Sequence, residues 1–115
     1  MSTNFTPVLD TLTRQRGVRA SLVVSATDGI TIESNLQIGQ DGNRVAALAA
    51  SLYRKARRSA SAAGLGLTGF MHLEAESGRL CIIGGDEIVL VVVADSDANV
   101  GLIRVEMLRA AESLA

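Results

Sequence analysis

Tryptophan is missing from this sequence, and aromatic residues of all kinds make up only 3% of it. The core must therefore be assembled from Val, Ile, Leu and Ala, and no aromatic platform for stacking single-stranded nucleic acid is available. A single cysteine, Cys81, excludes an intrachain disulfide and a multi-cysteine zinc site. It sits in an apolar run and reads as a small buried hydrophobe. The only histidine, His72, has no nucleophile placed near it by spacing, and it reads as a surface residue of an edge strand. Neither charge sign dominates, since 11 basic residues meet 12 acidic ones for a formal net charge of -1. That balance argues against a general polyanion binder, and nucleic acid is not an expected partner. The longest apolar run, Ile88–Ala94, is far short of the roughly 20 residues of a membrane span, so membrane insertion is not expected. The first residues, MSTNFTPVLD, lack a basic stretch followed by an apolar one, and a cytoplasmic protein is expected.

What is present reads as one globular domain over residues 1–115, with 48% hydrophobic residues. Phe5, Val8, Leu9 and Leu12 form a helical stripe, Pro7 fits the first turn, and Gly17 stops the helix. From Val18 the period changes to two: Val18, Ala20, Leu22 and Val24 alternate with Arg19, Ser21, Val23 and Ser25. Thr27-Asp28-Gly29 is a turn signal, and Ile30–Asn35 reads as the returning strand of a hairpin. Asp41–Ala63 reads as one long alanine-rich helix. Val45, Leu48, Ala49, Leu52, Ala56, Ala60 and Ala63 make its predicted core stripe, and Ala47, Ala50, Ser51, Arg54 and Arg58 face the other way. Strands are predicted at Leu67–Glu74, Arg79–Ile83 and Glu87–Ala94, separated by Glu76-Ser77-Gly78 and Gly84-Gly85-Asp86. Asp95-Ser96-Asp97 is the expected cap of a final helix with the stripe Val100, Ile103, Met107, Ala110, Ala111 and Leu114.

The order α-β-β-α-β-β-β-α predicts an α/β (α+β) fold. Ile88 to Val93 are all aliphatic, so the last strand needs cover on both faces and belongs in the middle of the sheet. Short connections make the pairs antiparallel, and the simplest strand order is 2-1-5-4-3. The terminal helices then share one face and the long helix takes the other. Strand 2 is short and carries Glu33 and Asn35, as a protected edge should. Strand 3, with Phe70, Met71 and Leu73, is an apolar edge. Pairing with the same strand of a second copy would protect it, with the small-residue face of the long helix packed on its twin.

No motif supports catalysis, and no cofactor or metal is expected. Gly64–Gly69 matches GxGxxG, but a helix leads into it and a strand leads out, the reverse of a dinucleotide site. Asp95-Ser96-Asp97-Ala98-Asn99 resembles a calcium loop but has Val100 where glycine is needed. Arg54, Lys55, Arg57 and Arg58 cluster around Tyr53. Read as function, that cluster makes Tyr53, Arg57 and Arg58 candidate contacts for an anionic partner surface; read as structure, it is a solvated helix end.

The Leu22–Ile30 hairpin, the alanine-rich helix and the aliphatic strand Ile88–Asp95 together resemble the roadblock/dynein light-chain family, over nearly the whole chain. The resemblance implies a non-enzymatic homodimer joined through strand 3 and the long helices. It also implies a scaffold or regulatory role, with small Ras-like GTPases as partners of bacterial members. Carried onto this sequence, the dimer contacts would be Ala47, Ala50, Ser51 and Arg54 on the helix and Phe70, Met71 and Leu73 on strand 3. The alternatives are a profilin-like small-molecule sensor, which needs a cavity between sheet and helix, and a structural dimerisation subunit of a larger complex.

Overall fold

The computed structural model describes residues 5–37 and 39–114, the side chain of Leu114 excepted. Three helices and five strands follow the predicted order: α1 (Thr6–Thr13), β1 (Val18–Ser25), β2 (Thr31–Leu36), α2 (Gly42–Ala62), β3 (Phe70–Ala75), β4 (Gly78–Gly84), β5 (Ile88–Ala94) and α3 (Val100–Leu114). The sheet is antiparallel throughout, in the order β2-β1-β5-β4-β3. The aliphatic β5 is central, between β1 and β4, because its side chains are buried on both faces.

Period-two alternation divides the sheet into two layers of core. Val18, Val23, Cys81, Leu90 and Val92 pack beneath α1 and α3, whose contributions include Leu9, Leu12, Ile103 and Met107. Ala20, Leu22, Val24, Ile82, Val89 and Val91 face α2. The one fully buried polar residue among those described, Ser21, donates to the Leu9 carbonyl at 3.0 Å and shares a 2.8 Å bond with Thr13, tying α1 to β1.

The long helix shows which physics decides its orientation. Asp41 caps it by accepting from the Arg44 N–H at 3.1 Å. Its inner residues are Gly42, Ala46, Ala49, Ala50 and Tyr53, which share Ala49 alone with the predicted stripe, while Val45 packs at the core margin. Leu48 is 61% exposed, and Ala63 lies outside the helix and exposed. The sheet beneath presents large residues, so the helix comes close only where its own side chains are small. Gly42 shows the tightness: a Cβ there would stand 2.8 Å from Leu36 Cδ1. The leucines are displaced to the flank.

Two further expectations change. Glu33 and Asn35 do not guard the β2 edge. They turn toward α1, where Glu33 accepts from Thr6 and Asn35 donates to Asp10, while Ile30, Ile32 and Leu36 are the exposed ones. The cap of α3 is Asn99, whose Oδ1 accepts from the Leu102 N–H, whereas Asp95 pairs with Arg19 at 2.5 Å. The last predicted residue of the α3 stripe, Leu114, lies outside the described side chains.

Tyr53 anchors α2 over the end of the sheet, its hydroxyl donating to the Gly84 carbonyl at 2.7 Å. Tyr53→Phe should lower unfolding stability by about 1 kcal/mol through loss of that bond. Tyr53→Ala should cost about 3 kcal/mol or more by leaving a cavity. Urea denaturation measures both, and equal stabilities would refute the anchoring role.

Candidate interaction surface at the β3 edge and the flank of α2

β3 pairs with β4 on one side only, and its outer edge meets no other strand among the described residues. The register sets its two faces. Met71 stands opposite Ile82 and Leu73 opposite Leu80, on the side of α2. Phe70, His72 and Glu74 stand opposite Ile83, Cys81 and Arg79, on the other side. Phe70 is partly covered within the chain, packed against the α1/α3 core with the Arg104 guanidinium 5.3 Å from its ring. Glu74 is paired with Arg79 at 2.7 Å, and His72 is exposed. The exposed apolar group of this edge is Leu73, at 46%.

α2 lies over β1, β2 and β5, so β4 and β3 extend beyond it. One flank of the helix is fixed by the β1–β2 turn. Arg54 Nη1 donates to the carbonyls of Ala26 and Thr27 at 2.9 and 3.2 Å, and Gly29 lies against Ala47 and Ala50. Residues nine apart on a helix lie about half a turn from each other, so Val45 is on the flank opposite Arg54. Val45 packs at the margin of the core cluster that also carries Met71, Leu80 and Val93. Leu52 is one heptad on, with Leu48 between. An apolar trough results, with Val45, Leu48 and Leu52 on the helix and Met71, Leu73 and Leu80 on the sheet.

This geometry redistributes the residues singled out in the sequence. Ala50 is fully buried against the sheet of its own chain, so it is not on an outer face. Tyr53 is likewise covered and offers no surface to a partner, because its ring fills the core and its hydroxyl is bonded. Ala47 is exposed and Ser51 half-buried, but Ala47 and Arg54 belong to the flank at the β1–β2 turn, away from β3. Arg57 lies 5.6 Å over the Tyr53 ring and is held by Asp86 at 2.6 Å and the Gly85 carbonyl. Its proton affinity is raised chiefly by the bond to Asp86. Arg58 is exposed and has no hydrogen-bond or ion-pair partner among the described residues. The helix residues of the trough, Val45, Leu48 and Leu52, belong to the apolar stripe of the sequence, which hydrophobicity alone directs to the core.

Among the described residues no group of three His, Cys, Asp or Glu could hold a metal ion. The GxGxxG segment is the exit from α2: Leu65 N–H donates to the Ala60 carbonyl, and Gly64 and Gly66 turn the chain with φ of 74° and 82°. Among the described residues no helix is long and apolar enough to cross a membrane.

The model of the Roadblock/LC7 domain matches residues 6–94. The chain belongs to the Roadblock/LC7 family. An uncharacterized protein of Methanocaldococcus jannaschii, MJ1340, is 36% identical over 107 residues, which is 93% of each chain. Among solved structures, MglB of Myxococcus xanthus is similar at a TM-score of 0.86 and 25% identity, over 97% of this chain and 92% of that one. A Roadblock/LC7 domain from Streptomyces avermitilis has the same fold, with a TM-score of 0.86 at 21% identity, over 97% of this chain and 95% of that one. Roadblock/LC7 domains are generally non-enzymatic interaction modules.

Cys81 faces α3 beneath this edge, fully buried, and burial pushes its thiol up from 9.0 to about 11. A raised thiol pKa stabilises the fold fully below pH 9.0, and that contribution is lost as pH rises through about 11. Urea midpoints should therefore fall across this window for the native chain and fall less for Cys81→Ala. Parallel pH profiles for the two proteins would contradict this. Ellman's reagent should label Cys81 only after unfolding.

Proposed function

We propose that the chain acts in the cytoplasm as a homodimeric, non-enzymatic module that binds and regulates a small Ras-like GTPase. The observation that carries the dimer is the coincidence of an unpaired strand edge with an apolar trough on the same side of the molecule. Two copies joined edge to edge through β3 around a two-fold axis would extend the sheet, and each trough would receive the α2 flank of the other copy. The seam would be made by Val45, Leu48 and Leu52 on α2 with Met71 and Leu73 on β3. Ala47 and Arg54 would stay outside it. Ser51, between the two flanks, would lie at most at its margin, and Phe70 would support the edge from the opposite face.

Family membership and the MglB-like fold support the reading of the dimer as a platform for another protein. The GTPase as that protein rests on the resemblance of the chain to bacterial roadblock proteins. The outward surface of paired α2 helices, with Arg44, Lys55 and Arg58, offers basic side chains free of ion pairs among the described residues.

Light scattering at micromolar concentration should give twice the chain mass of 12.0 kDa. Leu73→Lys or Leu52→Glu should shift the mass toward a single chain without unfolding it, whereas Ala47→Glu should not. A monomeric native protein would end the edge-pairing argument, and a dimer broken only by Ala47→Glu would move the seam to the other flank.

Titration with the small GTPases of the same organism, in GDP and GTP-analogue states, should show state-dependent binding and altered hydrolysis. No binding in either state would remove the GTPase and leave the dimer standing.

A further inference from the structure

α2 has 21 residues and is roughly 31 Å long, whereas a seven-residue strand spans roughly 23 Å, so the last turns of the helix overhang the sheet. The chain then doubles back beneath the overhang toward β3. Between the two lies a hollow of about 490 Å³, lined by Arg54, Arg57, Arg58, Ser61 and Thr68. Its size falls in the range of about 300–1,000 Å³ typical of ligand sites.

Three features make it a site rather than a gap. Arg54 and Arg57 are held in position by turn carbonyls, Arg54 by Ala26 and Thr27 and Arg57 by Gly85. A guanidinium has five N–H donors, so these contacts leave further donors unused. The charge is only partly balanced: Asp86 answers Arg57 and Asp28 lies within the field of Arg54. Arg58 and the neighbouring Lys55 have no acidic partner among the described residues. Finally, Thr68 Oγ1 is buried without a hydrogen-bond partner among the described residues, which is uncommon for a buried hydroxyl. Leu67, which also lines the hollow, is 91% exposed, and Leu65, two residues earlier in the same loop, is 77% exposed.

We propose that this hollow binds an acidic segment of a partner protein, with carboxylates received by the arginines and an aliphatic side chain resting on Leu65 and Leu67. Guanidinium groups match carboxylates in charge and in planar geometry. The hollow is concave, and Arg54 and Arg57 are tied back to the sheet turns. A planar bilayer would meet the leucines before it met those charges. The formal net charge of -1 gives no general attraction to an anionic surface. Arg54, on which the hollow rests, lies on the flank of α2 at the β1–β2 turn, outside the trough, and the proposal does not depend on GTPase binding.

The test is titration of the full-length, isotope-labelled protein with the hexapeptide Glu-Leu-Glu-Glu-Leu-Glu and with its Gln-Leu-Gln-Gln-Leu-Gln counterpart, followed by NMR. The acidic peptide should move the amide signals of Ser61 and Thr68 saturably at millimolar concentration, and the amide-bearing peptide should not. Arg58→Glu, at an exposed position, should weaken binding by about tenfold or more, and added salt should weaken it too. Leu67→Ser should weaken it with the arginines intact. Equal binding of both peptides, unmoved Ser61 and Thr68 signals, or full binding by Arg58→Glu would overturn the proposal. Sedimentation with phosphatidylserine vesicles in place of peptide binding would overturn it in favour of a lipid surface.

Discussion

The close approach of α2 to β1 and β5 through Gly42, Ala46, Ala49 and Ala50 is the contact on which the rest of the architecture depends. Small side chains let the helix backbone settle against the large aliphatics of the sheet, and dense packing rewards each contact made. Tyr53 then fills the space where the sheet ends and fastens the helix by its hydroxyl to Gly84. A helix held this close cannot also be broad enough to cover five strands. It shields β2, β1 and β5, and the α2 side of β4 and β3 is left partly uncovered.

The proposed surface for interaction is thus a by-product of how the core is made. The other layer, by contrast, uses two helices. α3 packs on β4 and α1 packs on β1 and β2, so that face is covered more evenly. The asymmetry between one close helix and two spread ones places the apolar trough on a single face, beside β3, one of the two strands whose outer edge meets no other strand among the described residues.

The arginines of α2 show a second consequence of geometry. In sequence they form a single basic cluster, yet each has a different fate. Arg54 fastens the helix to the β1–β2 turn, Arg57 fastens it to the β4–β5 turn, and Arg58 remains in solvent. The first two are structural ties that also hold their remaining donors in a fixed direction. Only the overhang of the helix turns these ties into the lining of a hollow.

Much of the fold was legible in the sequence because it depends on periodicity and connection length. Alternation marked β1, the unbroken aliphatic run marked β5 as central, and short turns forced antiparallel pairing, which together determine the order β2-β1-β5-β4-β3. The apolar edge at Leu73 was legible for the same reason. What the sequence could not convey was the rotation of α2 about its axis. A hydrophobicity pattern favours Leu48 and Leu52 as core and treats Ala46 and Ala50 as neutral, but a helix packed closely on large residues selects for smallness at the contact. Only the tertiary structure decided that Ala50 and Tyr53 lie inside and that Val45, Leu48 and Leu52 lie on the flank. The choice rests on steric fit between two surfaces, and neither surface exists until the chain has folded.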